Sequence, residues 1–189
     1  MSGHGVGAAL LMAEARTTFM AERLAAGSAG AILDKLNRLL YDDLDRAGHF
    51  ISACCAMFDA ATGELCYANA GHPPALLLPA GDTQWRALTA DGMLLGIRSD
   101  TVFGELRVRL GAGDVVAFYT DGVTEVRNGE GELFGTQRLC DAIAAHRHCD
   151  PEVLVDTIIG ELHRFAGTQR FEDDVTIVIM QVPPGAAKA

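Results

Sequence analysis

Short apolar segments separated by glycine-containing turns fill the middle of this 189-residue chain, between about residues 50 and 119. The turns "ATG" (61–63) and "GAGD" (111–114) are too short to contain a crossover helix. Strands joined by such turns pair antiparallel, because a parallel pair needs a connection of roughly a dozen residues or more. This feature predicts antiparallel sheets and constrains the fold more than any other part of the sequence.

Helices are predicted on both sides of the strand-rich region. The first covers residues 6–26, and the second covers about 31–46. The stripe of the first helix that is expected to pack on a sheet consists of Leu10, Ala13, Thr17, Met20 and Leu24. The apolar face of the second helix consists of Leu33, Leu36, Leu40 and Leu44.

Two further helices are predicted at about 136–147 and 151–166. Asp150 is the expected N-cap of the latter, with Pro151 at its first helical position. A strand at 174–182 follows, and a flexible tail covers 183–189. Because helices and strands are segregated along the chain, the sequence predicts the α+β class.

The strand segments differ in pattern. "FISACCAMFD" (50–59) is apolar on both faces, which predicts a strand buried between two layers. The segments 101–110 and 115–122 are expected to pair as a further hairpin across "GAGD". Two packed sheets with helices outside them are the predicted arrangement.

The composition narrows the function classes. The formal net charge of −10 argues against a nucleic-acid backbone as partner and is compatible with bound cations. No apolar run reaches the length of a membrane span, and the start lacks the basic region of a signal peptide. Five cysteines without a C-x-x-C pair indicate reduced thiols in a cytoplasmic protein.

Acidic residues at strand ends are the main candidates for chemistry. Asp121 follows an apolar strand and precedes Gly122, and Asp173 and Asp174 precede another strand. Carboxylates fixed by a sheet suit Mg²⁺ or Mn²⁺, although an Asp-Gly turn and a solvated strand edge explain the same residues. His72, in "NAGHPPAL", is a ligand, an acid–base group or a turn residue.

The opening "GHGVGA" imitates a dinucleotide-binding glycine motif. That motif requires a preceding strand and a parallel strand–helix–strand unit, whereas the next predicted element here is another helix. Nucleotide binding is therefore disfavoured.

Five segments, in order, resemble the metal-dependent protein phosphatases (type 2C-like). They are "SGHGVGAALLMAEART", "YANAGHPPALLL", "LLGI", "GDVVAFYTDGVTEVRN" and "FEDDVTIVIM". The resemblance covers residues 1–182 as one phosphatase domain and is closest to the bacterial branch typified by stage II sporulation protein E. It implies a four-layer αββα sandwich, two Mn²⁺ or Mg²⁺ ions, and hydrolysis of phosphoserine or phosphothreonine by a metal-activated water.

The resemblance also implies roles for individual residues. Asp121 and Asp173 match metal ligands, the Met1 backbone carbonyl matches a third, and Asp174 is a weaker candidate. No side chain is assigned direct catalysis. The residues expected near the site are Ser2, Gly3, His4, Gly5, His72 and Gly122. His4 is expected to orient the glycine turn, because the family's general-acid histidine aligns with Ser2.

In this family the glycine turn follows a strand that ends in a metal-bridging Asp. That Asp would precede Met1, so the resemblance implies an N-terminally incomplete domain that lacks the first strands and is a poor enzyme by itself. Family analogy suggests a phosphorylated anti-sigma-factor antagonist as substrate. Whether the protein forms a homodimer is left open by the sequence. The alternatives are a catalytically impaired module that binds a regulator, and a purely structural α+β domain.

Overall fold

A computed structural model describes residues 5–23, 27–82, 84–168 and 170–183 of the chain. The elements in chain order are α1 (Val6–Glu22), α2 (Ala29–Ala47), β1 (Ala53–Asp59), β2 (Glu64–Ala70), β3 (Ala75–Leu78), β4 (Arg86–Leu88), β5 (Leu106–Arg109), β6 (Val115–Tyr119), α3 (Asp121–Thr124), α4 (Gly135–His146), α5 (Pro151–Ala166) and β7 (Ile177–Gln181). They form two compact units. The first unit consists of residues 1–72 and 89–109, and the second consists of 73–88 and 110–189.

The first unit contains a three-stranded antiparallel sheet in the order β1-β2-β5, on which α2 packs. Helix α2 begins after Ser28, whose side chain accepts a hydrogen bond from the Ala31 N–H, and it ends at Gly48 in the left-handed conformation. Its predicted apolar face is confirmed, since Leu33, Leu36, Leu40 and Leu44 are all buried. These leucines form the centre of the first unit's core.

The prediction of which face of α1 is buried is wrong. Leu10 is 67% exposed and Met20 is 41% exposed, whereas Leu11, Ala15 and Phe19 pack against the first unit's core. Apolar residues occur on several sides of this helix, so spacing alone does not select the face that meets α2. Leu24, the last residue of the predicted stripe, lies outside the described residues.

The prediction that residues 50–59 form a strand buried on both faces is also wrong. Strand β1 is at the edge of its sheet, and Cys55 is its one fully buried residue. Strand β2 lies between β1 and β5, and six of its seven residues are buried. Both strands are rich in apolar residues, so burial follows from position in the sheet rather than from composition.

The second unit contains a four-stranded antiparallel sheet in the order β4-β3-β6-β7. Helix α5 packs on β7 and on α4, and begins at Pro151 with the predicted Asp150 cap accepting from the Glu152 N–H. The core is built from the inward faces of this sheet and of α4 and α5. Its fully buried helical residues include Leu139, Ile143, Leu154, Ile158 and Leu162.

The predicted hairpin of residues 101–122 does not form. Strand β5 pairs with β2 in the first unit, while β6 pairs with β3 and β7 in the second. Asp114 stabilises the turn between them, because its carboxylate accepts hydrogen bonds from the N–H groups of Gly111 and Ala80. The turn therefore leads the chain from one sheet to the other.

The fold class is nevertheless confirmed. Each unit is an antiparallel sheet with its own helices, as the α+β prediction of two antiparallel sheets flanked by helices requires. None of the helices in the described part of the chain is both long and apolar enough to cross a bilayer.

Candidate functional site

Two loops of the second unit lie side by side at one end of its sheet. The Thr120 N–H donates to the Thr176 carbonyl over 3.0 Å, and the Thr176 N–H donates to the Thr120 hydroxyl over 3.1 Å. Asp121 follows Thr120 directly, and Asp173 and Asp174 precede Thr176. The pairing of β6 with β7 thus brings together the two segments that carry the predicted metal ligands.

Gly122 is what allows this close approach. It is buried, and a Cβ atom at this position would overlap the backbone carbonyl of Asp174. Glycine has no Cβ, so it permits a neighbouring backbone to come this close. Gly122, which was predicted to lie near the site, therefore positions the loop through its close contact with the Asp174 backbone.

The carboxylates of Asp121 and Asp173 are both exposed. One oxygen of Asp121 accepts a hydrogen bond from the Gly122 N–H over 3.1 Å, and one oxygen of Asp173 accepts from the Asp174 N–H over 2.7 Å. These local bonds orient each side chain and leave its second oxygen for another partner. That the two carboxylates bind shared ions stays a prediction.

The donor atoms have the right chemistry for a hard cation, because Mg²⁺ and Mn²⁺ prefer carboxylate, carbonyl and water oxygens. Within the described residues, however, no group of three or more acidic, histidine or cysteine side chains is arranged to hold a metal. A metal site here needs additional oxygens. Met1, the predicted carbonyl donor, lies outside the described residues, as do Ser2, Gly3 and His4.

The remaining candidates belong to the first unit. Gly5 is the N-cap of α1 and has a φ of 93°, a conformation that favours glycine. The Nδ1 atom of His72 lies 3.3 Å from the Ser52 hydroxyl oxygen. Buried Asn69 accepts from the His72 N–H and donates to the His72 carbonyl, so an amide side chain fixes the loop that carries this histidine.

A pocket of about 370 Å³ opens beside Asp173 in the second unit. Its lining includes Gly122 and Val126 from the segment after β6, and Phe171 from the loop before β7. Arg127 and Arg170 also line it. Sequence reasoning missed both arginines, although Arg127 lies within "DGVTEVRN" and Arg170 directly precedes "FEDD". Their positions next to the two aspartate segments were the available signal.

Comparison with known families gives one match that spans almost the whole chain. The family model described as stage II sporulation protein E (SpoIIE) matches residues 1–183. Among curated proteins, the chain is 29% identical over 181 residues to phosphoserine phosphatase RsbU of Bacillus subtilis (strain 168). This alignment covers 95% of the chain and 52% of RsbU, so the chain spans about half the length of that relative.

Solved structures agree with this assignment. The chain superposes with a TM-score of 0.82 on the SiaA-PP2C domain of Pseudomonas aeruginosa, at 23% identity, covering 95% of this chain and 72% of that one. It superposes with a TM-score of 0.75 on the RsbU and RsbW domains of Rv1364c from Mycobacterium tuberculosis, at 29% identity. This superposition covers 96% of this chain and 49% of that one. The first of these establishes the PP2C-like fold.

Proposed function

Because the chain belongs to the SpoIIE family, as its motifs predicted, we propose that it is a metal-dependent protein phosphatase that hydrolyses phosphoserine or phosphothreonine. Two similar proteins support this reaction by name. RsbU and RsbP of Bacillus subtilis (strain 168) are both phosphoserine phosphatases, each 29% identical to the aligned part of this chain. The observation that carries the proposal is the alignment of the Asp121 and Asp173 segments by the Thr120–Thr176 hydrogen bonds.

Asp121 and Asp173 are the proposed ligands of two Mn²⁺ or Mg²⁺ ions, together with the Met1 carbonyl and, less centrally, Asp174. When bound, such ions lower the pKa of a water molecule for attack on phosphorus and offset the charge on the phosphoryl oxygens. The local bonds from Gly122 and Asp174 orient the two carboxylates for this purpose. Gly122 sets the spacing of the loops.

The negative charge of the chain favours cation binding over direct phosphate binding. With a formal net charge of −10, exposed carboxylates at the candidate site would repel a phosphorylated substrate in the absence of cations. This balance supports the proposed metal dependence. The proposed substrate is a phosphorylated regulatory protein in bacterial signalling, of the anti-sigma-factor antagonist type, a choice that rests on the family resemblance.

The proposal is tested by measuring phosphate release from a phosphoserine peptide by the longest natural polypeptide that contains this chain. We expect turnover with Mn²⁺, loss of turnover with EDTA, and recovery when excess Mn²⁺ is restored. Turnover that resists EDTA would contradict the metal-dependent reaction. Peptide binding without any turnover in Mn²⁺ or Mg²⁺ would instead identify a phosphatase-like binding module.

A further inference from the structure

The pocket beside Asp173 is lined by two arginines, Arg127 and Arg170. Several arginines elsewhere pair with carboxylates, as Arg98 does with Asp100 and Arg107 with Glu64. Within the described parts of the chain, Arg127 and Arg170 form no ion pair. Two guanidinium groups without a carboxylate partner therefore line one concave site.

The segment that carries Arg127 is well ordered by its own hydrogen bonds. Arg127 forms a β-bridge with Leu133, and its Nη1 donates to the Gly131 carbonyl over 3.0 Å. A guanidinium has five N–H donors, so this bond leaves most of them for another partner. Because the backbone is fixed on both sides, binding an anion here costs little additional ordering.

The segment of the pocket that carries Arg170 also makes contacts of its own. The Arg170 backbone N–H donates to the Thr168 hydroxyl over 3.2 Å. Phe171 stacks on His163 with ring centroids 4.4 Å apart, which fixes the apolar surface next to Arg170. The pocket thus combines apolar lining residues, Ala166 and Phe171, with two guanidinium groups, a composition suited to a peptide side chain with an acidic end.

The charges around the pocket are balanced rather than uniformly positive. Glu125, Glu172 and Asp173 line it together with the two arginines. Asp173 is a proposed metal ligand, and a cation bound there would cancel its charge. The arginines then oppose the two glutamates, so changing either kind of charge should shift the affinity for an acidic ligand, in opposite directions.

We propose that Arg127 and Arg170 are specificity-determining residues that bind acidic side chains flanking the phosphoserine of a protein substrate. This inference rests on the proposed function, because it places the phosphoserine at the neighbouring Asp121 and Asp173. Guanidinium groups recognise carboxylates through parallel charge-assisted hydrogen bonds. A chain with a net charge of −10 repels an acidic segment over much of its surface, and the two arginines reduce that repulsion at the pocket.

The kinetic test compares kcat/KM for phosphoserine peptides with acidic or neutral flanking residues. In Arg127→Ala and Arg170→Ala we expect the preference for the acidic peptide to fall by about tenfold, mainly through KM. Arg164→Ala, which removes the same charge from the exposed surface of α5, is the matched control and should keep the preference. An unchanged preference in both pocket variants would overturn the proposal.

A binding measurement with an unphosphorylated peptide separates this inference from the phosphatase reaction. Fluorescence anisotropy of a labelled acidic peptide that carries no phosphoserine, in Mn²⁺, should show weaker binding to Arg170→Ala and tighter binding to Glu172→Gln than to the parent protein. Tighter binding of a peptide with lysine flanks than of the acidic one would refute the subsite. Arginine-dependent peptide binding in a protein that never turns over would retain the subsite and reject the proposed function.

Discussion

The two units of this protein use polar side chains in opposite ways. In the first unit, the amides of Asn37 and Asn69 are buried within the core and bind loop backbone. In the second unit, Asp121 and Asp173 are exposed, and within the described residues each carboxylate accepts a hydrogen bond only from the N–H of the residue that follows it. The buried amides belong to the structure, whereas the exposed carboxylates are free to serve a ligand.

This difference separates stability from function. A buried amide that satisfies backbone groups cannot be removed without leaving those groups unpaired, so its loss should destabilise the fold. An exposed carboxylate that makes one local bond contributes little to folding. Substitutions in the two units should therefore affect different measurements.

The largest expected effect is on activity in the second unit. Asp121→Asn should lower Mn²⁺-dependent phosphatase activity by roughly a thousandfold, near the upper limit for removing one group that stabilises a transition state. Thermal unfolding without metal should show a change in the free energy of unfolding within about 0.5 kcal/mol. Undiminished turnover would contradict the assignment, and a large loss of stability would show that Asp121 is structural.

The next effect is on the stability of the first unit. The Asn37 side chain donates to the Arg98 carbonyl over 2.7 Å and accepts from the Gly96 N–H over 2.9 Å. Asn37→Ala should lower the free energy of unfolding by about 3 kcal/mol, because both backbone groups lose a buried partner. Urea titration measures this change. A loss below about 1 kcal/mol would mean that the loop re-forms its hydrogen bonds elsewhere.

A smaller effect tests the packing of the candidate site. Gly122→Ala should cost about 2 kcal/mol, because the new methyl group meets the Asp174 backbone rather than a mobile side chain. Gly129→Ala is the matched control, since nothing lies within 4 Å of the added Cβ, and its effect should stay within about 0.5 kcal/mol. Equal effects of the two substitutions would show that the loops of Asp121 and Asp173 are not in close contact.

The smallest effect concerns Glu105 and pH. Hydrogen bonds from Ser28 and from the Gly30 N–H hold the pKa of this carboxyl below its usual value. A lowered folded-state pKa contributes stability that is present above the unfolded pKa of about 4.3 and lost as the pH falls through the folded value. Glu105→Gln should reduce this acid dependence while changing stability at neutral pH by about 1 kcal/mol, because the amide oxygen can still accept the hydrogen bond from the Gly30 N–H.

The local sequence pattern predicted where helices begin and which faces they bury better than it predicted which strands pair with one another. The face of α2 was predictable because its leucines recur at helical spacing, and the start of α5 was predictable from Asp150 and Pro151. The partner of β5 was not, because the alternation within 106–109 is the same whether the strand pairs with β2 or with β6. Pairing between distant segments depends on the whole sheet, which no short window of sequence contains.

The candidate site shows the same limit. Motifs identified Asp121, Gly122 and Asp173, and the structure aligns their segments. The pocket and its two arginines depend on how the end of α5 and the loop before β7 meet the segment after α3. That meeting joins segments distant in the sequence, so the proximity of each arginine to an aspartate motif was the only signal of it that the sequence offered.

Direct measurement of bound Mn²⁺ tests the central claim that Asp121 and Asp173 belong to one metal site. Titration monitored by electron paramagnetic resonance should show Mn²⁺ binding to the longest natural polypeptide that contains this chain, and greatly weakened binding in both Asp121→Asn and Asp173→Asn. Glu152→Gln, which removes an exposed carboxylate at the start of α5, should bind Mn²⁺ like the parent protein. Equal Mn²⁺ affinity in all four proteins would contradict the account.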